Sequence, residues 1–264
     1  MQIRPLKQFG QHFLTDSSIT DRMVEAASVC SEDRVWEIGP GEGILTRSIL
    51  ERNPHLCIFE LDRRLTDHLN ESFGTKANVI MQDILRVDWQ KEIECAVPGK
   101  IKLISNIPYQ ITSPLLYRIA SFAGHFEKIV IMVQKEFAQR LTAKPSTKQY
   151  GVLTLKIRLN FDVQLLEYVS RECFSPPPKV DSAIIMLSPR EFKPDIKELD
   201  IYHQIIQKAF EHRRKTLRNN LSSMFEKQTL EKIENETGID FSRRGETLSE
   251  AEFILLSDAV ARRL

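Results

Sequence analysis

At 264 residues and 42% hydrophobic, the chain can build one large domain and a small one, each with its own core. A formal net charge of +1 excludes a globally basic nucleic-acid binder, so any such surface must come from local clusters of Lys and Arg. Cys30, Cys57, Cys95 and Cys173 are widely spaced with no C-x-x-C pair, which argues against a metal site or disulfide framework and fits a reducing cytoplasm. No apolar run approaches the ~20 residues that cross a membrane.

In chain order, a basic and aromatic stretch, Arg4 to Leu14, leads into N-cap candidates at Thr15-Asp-Ser-Ser18. Ile19, Met23 and Ala26-Ala27 then carry helical spacing. Val35 to Ile38 reads as a buried strand, Gly39 to Gly43 as a tight turn, and Ile44 to Glu51 as a helix. Leu56 to Glu60 is the second strand, followed by a helix over Arg64 to Ser72. Further strands are predicted at Val79–Met81, Ile101–Ser105 and Lys128–Val133, with helices at Pro114–Phe122 and Lys135–Ala143. Leu153 to Phe161 fits either state, and its length with the Leu153/Ile157 spacing favours helix. Val163–Val169 and Val180–Leu187 read as two late strands. This alternation predicts an α/β, Rossmann-like, mostly parallel doubly wound sheet with an antiparallel end strand. Ser188 to Pro194 reads as a linker. Beyond it only helices are predicted: Ile201–Phe210, Thr216–Phe225, Thr229–Thr237 capped by Gly238, and Ser249–Arg263 opened by a Ser249/Glu252 capping box. The expected division is residues 1–189 and a small all-helical domain at 195–264.

The glycine turn sets the chemistry. Strand, glycine turn and helix place a ligand at the carboxyl edge of a parallel sheet. The spacing is G-x-G-x-G, neither the dinucleotide pattern nor a P-loop. Glu37, just before the turn, would repel a pyrophosphate but not a cation. That points to S-adenosylmethionine, which carries a sulfonium, an ammonium and no phosphate. Glu60, at the end of the next strand, can accept from both hydroxyls of a ribose, though alone it also fits a solvated strand-end acid. Asp83 ends the third strand and can accept from an adenine amine, or simply form a turn.

Asn106-Ile107-Pro108-Tyr109 ends the fourth strand and suits methyl transfer to an amine conjugated with an aromatic ring. The Asn106 oxygen and Ile107 carbonyl can accept its two N–H groups, favouring a pyramidal nitrogen with a free lone pair. Pro108 fixes the backbone, and Tyr109 offers a stacking face for a splayed-out base. Phe174, before the Pro176-Pro-Pro178 run, is a candidate second wall. In the helical part, Lys208 and His212-Arg213-Arg214-Lys215-Thr-Leu-Arg218 form a basic cluster for RNA phosphates, to which Arg4, Lys7 and His12 can add.

Taken together these residues resemble the bacterial small-subunit (16S) rRNA adenine N6,N6-dimethyltransferases, the kasugamycin-sensitivity family. The matching stretches are Lys7-Gln-Phe-Gly-Gln-His-Phe-Leu14, Glu37-Ile-Gly-Pro-Gly-Glu-Gly43, Glu60, Asp83, Asn106 to Tyr109, Phe174-Ser-Pro-Pro-Pro-Lys-Val-Asp-Ser182 and Phe210 to Leu221. The resemblance implies a class I S-adenosylmethionine-dependent methyltransferase without a metal, and an N-terminal segment that covers the cofactor. It implies a monomer acting on 16S rRNA in an immature small subunit, dimethylating two adjacent adenosines of the 3′-terminal hairpin loop. Cofactor contacts carry over to His12, Leu14, Gly39, Glu60, Asp83 and Asn106, while the reading of the residues themselves assigns catalysis to Asn106, Pro108 and Tyr109 and substrate binding to Tyr109, Phe174, Arg213 and Arg214. His12 stands where that family more often has Asn, and Ile107 where it has Leu. Alternatives are a large-subunit rRNA methyltransferase of the antibiotic-resistance type, a DNA or protein methyltransferase with a similar Asn-Pro turn, and a ribosome-assembly checkpoint factor with incidental catalysis.

Overall fold

The computed structural model describes residues 4–6, 10–94 and 98–263; Lys7 and Cys95 therefore lie outside the described residues. The chain divides into two compact units. One comprises residues 1–138 and 161–189, the other residues 139–160 and 190–264, so the helical unit also takes in a segment that the sequence assigns to the first domain.

The sheet unit begins with a two-residue strand β1 (Phe13–Leu14) and helix α1 (Ser17–Ala27), whose N-cap Asp16 accepts from the Ser18 N–H at 2.9 Å. Then come β2 (Arg34–Ile38), α2 (Ile44–Leu50), β3 (His55–Glu60), α3 (Arg63–Phe73), β4 (Ala77–Met81), α4 (Trp89–Glu94), β5 (Ile101–Asn106), α5 (Thr112–Ser121), β6 (Phe126–Gln134) and α6 (Lys135–Leu141). The ambiguous stretch is the helix α7 (Val152–Arg158), in the other unit. The sheet unit resumes with β7 (Phe161–Val169), β8 (Phe174–Ser175) and β9 (Ser182–Pro189). Seven strands form one sheet in the order β4-β3-β2-β5-β6-β9-β7, and β1 pairs with β8 in a separate two-stranded ladder.

Strands β2 to β6 run parallel. The antiparallel strand is not at the end, as the sequence suggested, but one place in: β9 lies antiparallel between β6 and β7. Burial explains the placement. β9 is apolar on both faces and mostly buried, whereas β7 alternates with exposed positions and tolerates the edge. Alternate β2 residues serve opposite faces. Val35 packs with Met23, Ala27 and Ile49 of α1 and α2. Trp36 enters an aromatic cluster with Phe59, Trp89 and Phe126 at centroid distances of 5.0, 5.4 and 6.1 Å.

The helical unit adds α8 (Leu199–Ala209), α9 (Leu217–Leu221), α10 (Lys227–Thr237) and α11 (Glu250–Ala261) around Tyr202, Ile206, Leu217, Phe241 and Phe253. Gly238 caps α10 at φ 67°, and the Ser249/Glu252 capping box forms as the sequence predicts. α9 is shorter than expected, ending at Leu221.

Candidate active site

The carboxyl ends of β2 to β5 open onto one cavity, which also takes residues from the N-terminal segment and from β8. His12, Leu14, Gly39, Glu60, Asp83, Asn106, Pro108, Tyr109 and Phe174 all line it. The glycine turn after β2 is pinned by the Gly39 N–H donating to the Phe59 carbonyl at 2.9 Å. Gly39 has φ 62°, and a Cβ there would lie 3.1 Å from Pro108 Cδ. A Cβ on Gly41 would come within 2.9 Å of the Phe13 ring. Glycine at these two positions thus lets the turn nest between the Asn106–Tyr109 turn and the N-terminal strand.

Acidic side chains stand at the strand ends. Glu37 is fully buried; Thr46 donates to its Oε2 at 2.7 Å, while Oε1 has no partner among the described residues. Burial pushes the Glu37 carboxyl up to about 8, opposed by the Thr46 bond and assisted by the charge of Glu60. Glu60 is 8% exposed. Its Oε1 accepts from the Leu61 and Asp62 N–H groups at 2.7 and 2.8 Å, which fixes the side chain and leaves Oε2 unengaged among the described residues. Burial raises its pKa despite those bonds. Asp83 uses Oδ1 to accept the Leu85 N–H at 2.9 Å, so the turn-forming reading of this residue is realised, and it still lines the cavity.

At the end of β5, Asn106 pairs with Met132 of β6, and the Ile107 N–H donates to the Met132 carbonyl at 3.2 Å. That ladder holds the turn rigid. Among the described residues, neither the Asn106 side-chain amide nor the Ile107 carbonyl is taken by a protein partner. The Tyr109 hydroxyl is engaged with Ser182 Oγ at 2.7 Å, and burial raises its pKa. Its ring stacks with His12 at 6.2 Å and 26°. Phe174 is 3% exposed and belongs to the core with Leu14, Val169 and Ile184 while also lining the cavity.

Several contributors have no local signature in the sequence. β1 is clipped to β8 through Phe13↔Ser175 and Leu14↔Phe174. The His12 Nδ1–H donates to the Pro176 carbonyl at 2.7 Å, and the Thr15 N–H to the Cys173 carbonyl at 2.9 Å. At the other end of this segment, Gln11 Nε2 donates to Asp62 Oδ2 at 3.0 Å, and Asp62 in turn holds Arg64. The N-terminal segment is thereby fastened on either side of the residues that enter the cavity.

The basic cluster fares differently. Residues 211–215 form turns after α8, not a helix. Arg213 donates to the Tyr150 carbonyl at 2.9 Å, pairs with Glu246 at 2.7 Å and lies 5.7 Å from the Phe210 ring centroid. Arg218 pairs with Glu234, and Lys208 with Glu211. Arg214 and Lys215 are exposed and make no ion pair among the described residues. Arg4 and His12, expected to add to this cluster, belong to the sheet unit.

The family model for ribosomal RNA adenine dimethylases matches residues 4–262. The chain belongs to this family. Among curated relatives of the dimethylases, the "Ribosomal RNA small subunit methyltransferase A" of Clostridium acetobutylicum is 40% identical over 97% of this chain and 94% of its own length. The protein of the same name from Ligilactobacillus salivarius is 41% identical over 97% and 90%. Of solved structures, a dimethyladenosine transferase from Plasmodium falciparum superposes with a TM-score of 0.75 at 26% identity, covering 93% of this chain and 96% of that one. The 23S rRNA methyltransferase ErmE gives 0.72 at 26% identity, covering 94% and 99%.

Membership of this dimethylase family makes the chain an rRNA methyltransferase, and such a methyltransferase implies S-adenosylmethionine as donor. The cavity fits that group. Glu37 presents a buried, unpartnered oxygen and Glu60 a second free oxygen, both suited to a ligand rich in hydrogen-bond donors and positive charge. Among the described residues no cluster of three or more His, Cys, Asp or Glu can hold a metal, and no helix is long and apolar enough to cross a membrane.

Proposed function

We propose that this dimethylase transfers methyl groups to N6 of two adjacent adenosines in the 3′-terminal hairpin loop of 16S rRNA, each twice. It acts as a cytoplasmic monomer on an immature small subunit. The observation that carries this reading is the pair of acceptors at Asn106 and Ile107 that no described residue engages, set rigidly in the same cavity as the acidic side chains of Glu37, Glu60 and Asp83. The small-subunit assignment is supported by the names of relatives about 40% identical over nearly the whole chain.

S-adenosylmethionine would supply an electrophilic methyl on a sulfonium, the S–CH3 bond breaking as the N–CH3 bond forms and the neutral thioether S-adenosylhomocysteine leaving. Glu60 would accept from its ribose hydroxyls and Asp83 from its adenine amine, while His12, Leu14, Gly39 and Asn106 would border the remainder. The Asn106 oxygen and the Ile107 carbonyl accept the two hydrogens of the target N6 amine. That draws the nitrogen toward a pyramidal geometry and frees its lone pair for the methyl carbon. Pro108 holds the turn against Gly39. Tyr109, anchored by Ser182, and Phe174 present aromatic faces to the splayed-out base. No protein base is needed, because the nitrogen becomes cationic on methylation and its proton then passes to water. After the first transfer one hydrogen remains, and one acceptor suffices for the second round.

RNA docking falls to Arg214 and Lys215, which are exposed and make no ion pair among the described residues, whereas Arg213 is held within the helical unit. The test is incubation with labelled S-adenosylmethionine and undermodified subunits of each size, followed by mapping of the modified nucleotides. The reading expects dimethyladenosine in 16S rRNA. Label confined to 23S rRNA would instead favour the ErmE-like alternative, and undiminished support of subunit maturation by an inactive variant would favour the checkpoint role.

A further inference from the structure

Asp83 lies two residues past β4, the edge strand of the sheet, so the turn that it opens has a strand neighbour on one side only. Within that turn, the Asp83 carbonyl accepts from the Arg86 and Val87 N–H groups at 2.8 and 3.0 Å, and Oδ1 accepts from Leu85. These bonds fix the shape of the turn but not its place against the rest of the unit. Two side chains fix its place. Trp89, 1% exposed, donates Nε1–H to the Ile84 carbonyl at 3.0 Å. Arg118 of α5 donates through both terminal nitrogens, one to the Leu85 carbonyl and one to the Val87 carbonyl, with its guanidinium 5.1 Å from the Trp89 ring centroid.

Arg118 has no carboxylate partner among the described residues, so ion pairing does not explain it. A forked guanidinium donating to two carbonyls two residues apart fixes orientation as well as distance, which a lysine cannot do. The helix that carries it begins at Thr112, directly after the short turn that contains Tyr109. The Asp83 turn is therefore stapled to the helix that follows the Asn106–Tyr109 turn.

We infer that Arg118 is a positioning residue that holds Asp83 in register to read the adenine of the methyl donor, so that base selectivity at the cofactor site is set from α5. The inference rests on the proposed role of Asp83. It is tested by calorimetry on the full chain with S-adenosylhomocysteine and S-inosylhomocysteine. The second presents an acceptor oxygen where the first presents an amine. The parent protein should prefer the adenosyl ligand about tenfold or more, and Asp83→Asn should abolish the preference. Arg118→Met should remove most of the preference while changing affinity for the inosyl ligand by less than about twofold, and Arg118→Lys should fall between. Equal weakening of both ligands by Arg118→Met, with the ratio kept, is what a merely structural arginine would give and overturns the inference. If Arg118→Met does not fold, Arg118→Lys decides: an unchanged ratio overturns the inference and a reduced one supports it. No preference in the parent, or a preference kept by Asp83→Asn, removes the Asp83 reading itself, and the inference falls with it.

Discussion

His12 and Pro176 stand 164 residues apart in the chain and are joined by a 2.7 Å hydrogen bond at the rim of the cavity. Arg213 and Arg214 are adjacent and do opposite things: one is bound to Tyr150 and Glu246, the other is exposed and unpaired among the described residues. In the sheet unit, the parallel strands β2 to β5 bring their carboxyl ends to one edge, and the antiparallel β1–β8 ladder carries His12 and Pro176 to the rim of that same cavity. In the helical unit, a turn sends neighbouring side chains in different directions, and each takes whatever partner the fold offers. Proximity in sequence is therefore a poor guide to a shared role, and a shared strand end is a good one.

The largest effect that can break this contrast lies at Asn106. Asn106→Ala should lower the methyl-transfer rate by about 10²-fold or more at saturating cofactor, with mono- and dimethyladenosine counted separately by mass spectrometry. A near-normal rate of both products would remove the acceptor pair from the chemistry. Next is Glu60→Ala, expected to weaken S-adenosylmethionine binding by about 1.5–3 kcal/mol, read by calorimetry. Unchanged affinity in a folded variant would mean that its free oxygen faces no ligand.

The contrast between the two arginines sharpens through stability. Arg213→Ala should cost about 1–2 kcal/mol in urea unfolding, because the Tyr150 carbonyl and Glu246 lose their donor. Arg214→Ala should change stability by less than about 0.5 kcal/mol. Equal costs would erase the distinction. Reversing Arg214 and Lys215 to Glu should flatten the log–log salt dependence of subunit binding by about 2 and leave cofactor affinity intact.

A further effect is spread over a wide pH range. Glu37 holds its proton in the folded state up to about 8, against 4.5 in the unfolded chain. The folded state binds more protons across that window, so the contribution of this group is complete below 4.5 and is lost as pH rises toward 8. Glu37→Gln should remove that decline from the thermal stability of the unliganded protein, and an unchanged profile would show that Glu37 is already ionised.

Much of this was legible in the sequence. Gly39, Glu60, Asp83 and Asn106 announce themselves because each lies at or just past the end of a strand with its own periodicity, and the structure brings all four to one cavity. Glu37 was read for its charge but not for its burial, which depends on Thr46 and the packed sheet around it. The clip between β1 and β8 and the Gln11–Asp62 bond were invisible, because pairing across such separations leaves no local pattern. The place of β9 inside the sheet was misjudged because two consecutive strands suggest an edge, and only their relative burial decides which one occupies it. Arg213 looked like its neighbour because a charge reveals its sign in sequence but not its partner.

The division of labour is tested most directly by assaying two variants side by side, Asn106→Ala and the double charge reversal at Arg214 and Lys215. Each is measured for subunit binding and for methyl transfer at saturating subunit. The account predicts a crossover: Asn106→Ala binds the subunit like the parent and fails to transfer, while the charge-reversed variant binds weakly and transfers at close to the parental rate once saturated. Loss of both functions in both variants would contradict it.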